Sequence, residues 1–107
     1  MQRVGMTWRV DPVHWEAYKA IHLNPWPALI EAIQAEGIHN YSIFAFGTRV
    51  FAYMEVADDV VYAALDRLSA TDIKRQWDAE VTTFVMPEAE AGGGVQFLEL
   101  EPIFFCA

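Results

Sequence analysis

With 107 residues the chain has room for one domain and one core, and an apolar fraction of 54% gives it the material to build one. A formal charge of −8, with seven Lys and Arg residues scattered along the chain, repels phosphate backbones and excludes nucleic acid as an expected partner. No apolar run approaches a membrane span, residues 1–5 lack the basic-then-apolar order of a secretion signal, and the lone Cys106 cannot form an internal disulfide. The expectation is a cytoplasmic protein.

Residues 3–10 alternate, with Val4, Met6, Trp8 and Val10 on one side and Arg3, Gly5, Thr7 and Arg9 on the other, which predicts a half-buried strand. Asp11 then offers a helix cap and Pro12 an acceptable first helical residue, and the helix that follows carries Trp15, Tyr18, Ile21 and His22 at adjoining positions. Pro25 and Pro27 end it. A second helix over residues 28–36 shows Leu29, Ile30 and Ile33 at helical spacing and stops at Gly37. Residues 40–46 and 49–56 are strand-rich runs joined by Gly47-Thr48, a two-residue link with glycine first, as a type II′ hairpin turn prefers. Asp58 or Asp59 can cap a third helix carrying Val61, Leu65 and Leu68, and a fourth helical stretch, about residues 70–85, is stopped by Pro87. Residues 88–94, with three consecutive glycines, read as a flexible loop. Residues 95–105 read as the last strand, which Pro102 confines to an edge or a bulge.

Strand, helix, strand, strand, helix, strand is the order of the ferredoxin-like split βαβ fold. The expected class is α+β, a four-stranded antiparallel sheet with helices on one face, in a single domain over residues 1–107. The strands are apolar on both faces: Phe44 accompanies Ile43, and Phe51 and Tyr53 oppose Val50 and Met54. An uncovered apolar face calls for a partner, and a homodimer packed sheet against sheet supplies one.

The segment Tyr18-Lys19-Ala20-Ile21-His22-Leu23-Asn24-Pro25-Trp26-Pro27 places Tyr18 and His22 one helical turn apart, with His22 on the last turn before a proline bend. A helix C-terminus favours a protonated imidazole, which suits a proton donor near neutral pH. Further on come His39-Asn40-Tyr41 with Ile43, Thr71-Asp72, Trp77, Met86-Pro87 and Ile103-Phe104-Phe105. In this order, and with Val10-Asp11-Pro12, Glu16 and Gly37 ahead of it, the chain resembles the L-rhamnose mutarotase family, small proteins that interconvert the α and β anomers of a 6-deoxy sugar.

The resemblance implies a dimeric α/β barrel and an isomerase acting on L-rhamnose or L-fucose. It also implies a site in which positions matching Tyr18, His22, Tyr41 and a tryptophan pair near Trp77 meet the sugar, with His22 as proton donor. Such chemistry opens and recloses a hemiacetal, so one histidine can serve in both directions and no metal or cofactor is needed. Trp26, Tyr41 and Trp77 could stack on the sugar's apolar face while Tyr18 and Asn40 bond its hydroxyls. Trp26, between two prolines, reads equally as a residue that pins the bend to the core. Trp15 reads as core, His14 as solvated, His39 as structural and Cys106 as a small apolar residue.

The chain departs from the family pattern in places. The tryptophan pair is reduced to Trp77, with Gln76 before it and Asp78 after it, and the Asn-Pro of the bend sits one place later. The spacing from Trp77 to Met86-Pro87 is longer, and the turn at Gly47 is shorter. On these grounds the preferred sugar need not be L-rhamnose. The other readings open at this level are a monooxygenase-like or haem-binding protein of the same fold, and a sugar-binding homologue without turnover.

Overall fold

The computed structural model of the chain describes residues 1–57, 61–87 and 97–107. β1 (Gln2–Val10) runs antiparallel to β3 (Arg49–Val56) from Gln2↔Val56 to Arg9↔Arg49. The alternation read in the sequence is the one that packs: Val4, Trp8 and Val10 are buried on one side. Thr7, on the opposite side, is also buried, its hydroxyl donating to the Val50 carbonyl and accepting from Arg49. A 3₁₀ turn over Pro12–His14, capped by Asp11 through the Val13 N–H, leads into α1 (Trp15–Leu23). Asn24 terminates α1 in a non-helical conformation ahead of Pro25. α2 (Pro27–Ala35) begins with its proline at the first position and ends at Gly37, whose φ of 75° lies in the left-handed region.

β2 (Ile38–Phe46) pairs with β3 across the turn at Gly47, where φ is 62° and Thr48 keeps a negative φ, in accord with a type II′ turn. The β2–β3 ladder contains a bulge between His39 and Ser42, where Asn40 adopts a positive φ of 50°. α3 (Val61–Ser69) and α4 (Asp72–Val81) follow, α4 opened by Thr71, whose side chain accepts from the Lys74 N–H.

Two expectations are corrected. The helix expected over residues 70–85 ends at Val81: the Thr82 hydroxyl bonds the Asp78 carbonyl, and the chain tightens into a 3₁₀ turn (Thr82–Phe84). Val85–Met86 then forms a short β4 against Arg9 and Val10. The strand expected over residues 95–105 is, among the described residues, only β5 (Leu98–Leu100), paired with Gly5, Met6 and Thr7 on the same edge of β1. Pro102 has no N–H to extend that ladder, and residues 101–107 carry no regular element. Among the described residues the sheet therefore has five strands, ordered β2-β3-β1-β4 with β5 beside β1, and its four-stranded path is the ferredoxin-like one. The predicted cap at Asp58 or Asp59 and the loop at residues 88–94 lie outside the described residues.

Helices cover one face of this curled sheet. Trp8, Val10, Val50 and Ala52 from the strands meet Tyr18, Leu29, Trp77 and Val81 from α1, α2 and α4, while Val4, Met54 and Val56 meet Ala64 and Leu68 of α3. The opposite face carries Phe44 paired with Phe51 and Phe46 paired with Arg49, with Phe44 66% and Phe46 84% exposed. The C-terminal segment crosses toward β1, where the Arg3 guanidinium lies 3.5 Å from the centre of the Phe105 ring. No helix among the described residues is long and apolar enough to cross a membrane.

Candidate active site

Between α1, α4 and the β2 bulge opens a cleft of about 960 Å³, large enough for a monosaccharide. α1 brings Tyr18 and His22 to its wall, the bulge brings Tyr41, and α4 brings Trp77 and Asp78. The bulge changes which residues of β2 share a face. Ile38 pairs with buried Val56 on the helix side, and beyond the irregularity Ile43 pairs with Ala52 on that side again, five residues on where strict alternation requires an even step. Tyr41 owes its place on the cleft to that slip, and Asn40 supplies the left-handed residue the slip requires.

The Tyr18 ring is 2% exposed and lies between two aromatic neighbours, stacked on Trp15 at 5.8 Å and tilted against the His22 imidazole at 4.2 Å. Its hydroxyl accepts from the Trp8 indole N–H at 2.9 Å. Burial drives the Tyr18 pKa far upward, an effect the Trp8 bond only partly opposes, so Tyr18 stays a phenol.

His22 Nδ1 is 2.7 Å from the Tyr18 carbonyl oxygen. A carbonyl can only accept, so the proton is assigned to Nδ1, and Nε2 keeps its lone pair. The imidazole also stands edge-on to Trp77 at 5.3 Å. Burial lowers the His22 pKa, outweighing the carbonyl bond that favours the charged form. With its pKa below the ordinary histidine value, His22 rests neutral at pH 7 with a basic nitrogen, not as the imidazolium that a helix terminus favours.

The Tyr41 residue keeps 38% of its surface exposed, but its hydroxyl end is desolvated. That desolvation, reinforced by the negative charge of Asp78, pushes its pKa up to about 12. Trp77 is buried to 7% exposure and lines the cleft. Trp26 does not line the cleft. Its ring packs edge-to-face on Trp77 at 5.1 Å from the start of α2, so of its two readings the structure places it as the support behind Trp77. Asn40 borders the cleft, but its amide donates to Glu55 Oε1 at 2.9 Å. Gln76 is exposed and points away from the cleft, whereas Asp78 lines it, ion-paired with Lys74 one turn earlier.

Two residues of the site were not picked out in the sequence. Lys74 carried a signal in its i,i+4 spacing to Asp78. Trp8 stands in the alternation of a half-buried strand, but no sequence signal pairs its N–H with Tyr18. Among the described residues no three His, Cys, Asp or Glu side chains gather as a metal-binding group. A second depression, about 520 Å³ near Arg3, Tyr53, Tyr62 and Glu99, contains no histidine or tryptophan.

The sequence profile of the L-rhamnose mutarotase family matches residues 3–106. An L-rhamnose mutarotase of Listeria monocytogenes serotype 4b (strain F2365) is 31% identical over 109 residues, covering all of both chains. Among solved structures, L-rhamnose mutarotase from Formosa agariphila superposes over the full length of both chains with a TM-score of 0.78 at 21% identity. An antibiotic biosynthesis monooxygenase also superposes, with a TM-score of 0.65 at 15% identity over 96% of this chain and 99% of that one, which is a likeness of fold alone. The neutral histidine on an aromatic cleft and the full-length match converge: the chain belongs to the L-rhamnose mutarotase family and is a sugar isomerase that interconverts anomers.

Proposed function

We propose that this mutarotase exchanges the α and β anomers of a 6-deoxyhexose, L-rhamnose first and L-fucose second, with His22 as the group that moves the proton. One observation carries the assignment: Nδ1 is fixed on the Tyr18 carbonyl, which leaves Nε2 as the reactive nitrogen of a neutral imidazole on the cleft wall. The anomeric oxygen and the ring oxygen are bonded to the same carbon, so one nitrogen can reach both. In ring opening Nε2 takes the proton of the anomeric hydroxyl, the C1–O bond to the ring oxygen breaks, and the imidazolium returns the proton to that oxygen. Rotation about the bond between C1 and C2 exposes the other carbonyl face, and reclosure reverses the two transfers. The proton count balances, so the step calls for no metal, nucleotide or covalent intermediate.

Trp77 lies beside His22 on the cleft, and Tyr41 offers a hydroxyl group that remains protonated. In this reading Tyr41 and Trp77 contact the sugar, and Tyr18 is primarily the platform that holds His22. The active form is a homodimer in which the sheet face bearing Phe44, Phe46 and Phe51 packs on its own copy, and the cell compartment is the cytoplasm. Exposure of those rings in the single chain supports the dimer, and the single cysteine agrees with a reducing compartment.

Magnetisation-exchange NMR on equilibrated L-rhamnose tests the activity. The wild type accelerates interconversion, and His22→Ala loses roughly 10²-fold or more, the usual weight of a general acid–base group. Equal rates for His22→Ala and wild type at equal folded concentration would refute the assignment of His22.

A further inference from the structure

The polar end of the cleft has a feature that the proton-transfer chemistry does not use. Lys74 and Asp78 lie one turn apart on α4 and form an ion pair through Asp78 Oδ1, and both residues line the cleft. The Asp78 side chain is 40% exposed, in a wall made mostly of aliphatic and aromatic side chains. Tyr41 lines the same cleft, and the Asp78 charge adds to the desolvation that raises its pKa. A carboxylate accepts and a phenol O–H donates, and the group that satisfies both at one oxygen atom is an alcohol: it donates its own proton to the carboxylate and accepts the phenol's.

We propose that Asp78, buttressed by Lys74 and opposed by Tyr41, is a specificity-determining subsite for one sugar hydroxyl, which donates to Asp78 Oδ2 and accepts from the Tyr41 hydroxyl. The subsite reads a hydroxyl against its absence, and does so with a charged acceptor. It rests on the mutarotase reading for the class of ligand, not for its chemistry. Lys74 holds the carboxylate through Oδ1; Gln76, on the opposite side of the helix, takes no part. Sites of this kind discriminate more sharply than apolar pockets, because a ligand lacking the hydroxyl leaves two polar groups without partners.

The test pairs ligand and protein changes. Calorimetric affinities are measured for L-rhamnose and for its 2-, 3- and 4-deoxy and deoxyfluoro analogues, with wild type, Asp78→Ala and Asp78→Asn. Expected is one position at which the wild type loses roughly tenfold to a hundredfold on deoxygenation, the weight of a hydrogen bond to a charged group. Asp78→Ala should show the same loss on L-rhamnose and almost none further on that analogue. Fluorine accepts but cannot donate, so the matching fluoro analogue should bind poorly to wild type and regain affinity in Asp78→Asn, whose amide donates. A penalty for Asp78→Ala that is the same for L-rhamnose and every analogue overturns the subsite. Exchange rates on the same samples keep the two readings apart: sugar binding with this pattern but no turnover removes the mutarotase assignment and leaves the subsite standing, while turnover without the pattern does the reverse. A protein that binds none of the sugars overturns both.

Discussion

Tyr18→Phe separates the two things a buried tyrosine at this site could be doing. The substitution keeps the ring, and with it the contacts to Trp15 at 5.8 Å and to His22 at 4.2 Å, and removes only the oxygen that accepts from Trp8 Nε1. Trp8 is 6% exposed and Tyr18 2%, so water has little access to the orphaned N–H. An unpaired buried donor costs about 1–3 kcal/mol, and for a domain of roughly 100 residues each kcal/mol lowers Tm by about 4–8 °C. Urea titrations of wild type, Tyr18→Phe, Trp8→Phe and the double variant, at one fixed protomer concentration because association shifts apparent stability, give the coupling between the two residues. Expected is a loss of about 1–3 kcal/mol for Tyr18→Phe and a double variant less destabilised than the sum of the singles, since it contains no unpaired donor. Tyr18→Phe within 0.5 kcal/mol of wild type, or a coupling near zero, would show that the Trp8 bond does not hold the platform under His22.

The exchange rate should follow a single proton through His22: flat at neutral and alkaline pH, and falling as pH drops through a midpoint below the ordinary histidine value of 6.5, because burial lowers the folded pKa and the neutral form is the active one. A midpoint above 6.5 in the pH–rate profile contradicts this. The sign is the same for stability. The unfolded chain binds the proton first, so His22 withdraws stability as pH falls below about 6.5, and His22→Gln should flatten that part of a denaturation–pH curve. Thr71→Ala removes the α4 cap that accepts from the Lys74 N–H and should cost about 1 kcal/mol in thermal or urea unfolding; no loss would mean that the cap is dispensable to the helix carrying Trp77 and Asp78. Light scattering should give twice the 12.2 kDa chain mass, and Phe44→Glu, on the face away from the helices, should halve it; a wild-type monomer at micromolar concentration would rule out the sheet-to-sheet pairing.

What the sequence disclosed follows the range of the interactions involved. The half-buried strand around Trp8, the helix broken at Asn24-Pro25, the stop at Gly37 and the turn at Gly47 are set by residues within a few positions of one another, and all four are present. The C-terminal strands were misjudged because β4 is held by two residues of β1 seventy-odd positions earlier, and nothing local distinguishes Val85-Met86 from the end of a helix. The site divides the same way. Tyr18 and His22 are one helical turn apart and could be paired on sight, whereas the Trp8–Tyr18 bond and the approach of Tyr41 to Asp78 exist only once the sheet closes against α1 and α4. The His22 titration divides likewise: a helix terminus is visible in a sequence, but the burial that lowers the pKa is a property of the assembled core.

Desolvation by that core also bears on which group is suited to the proposed proton transfer. It pushes both titrations outward from neutrality, His22 below its ordinary value and Tyr41 up to about 12, so at pH 7 both groups are uncharged. A phenol at about 12 is ionised in roughly one molecule in 10⁵ at pH 7, so handing its proton fully to the sugar would create a phenolate in an environment that already penalises charge. Tyr41 is therefore suited to lend a hydrogen bond and keep its proton. His22 is closer to the operating pH, and the only change asked of it is a brief protonation at Nε2, which the Tyr18 carbonyl on Nδ1 stabilises. The pKa separation agrees with the proposed roles: histidine would carry the proton both ways between two oxygens of one carbon, while Tyr41 holds a sugar hydroxyl and Tyr18 holds the histidine.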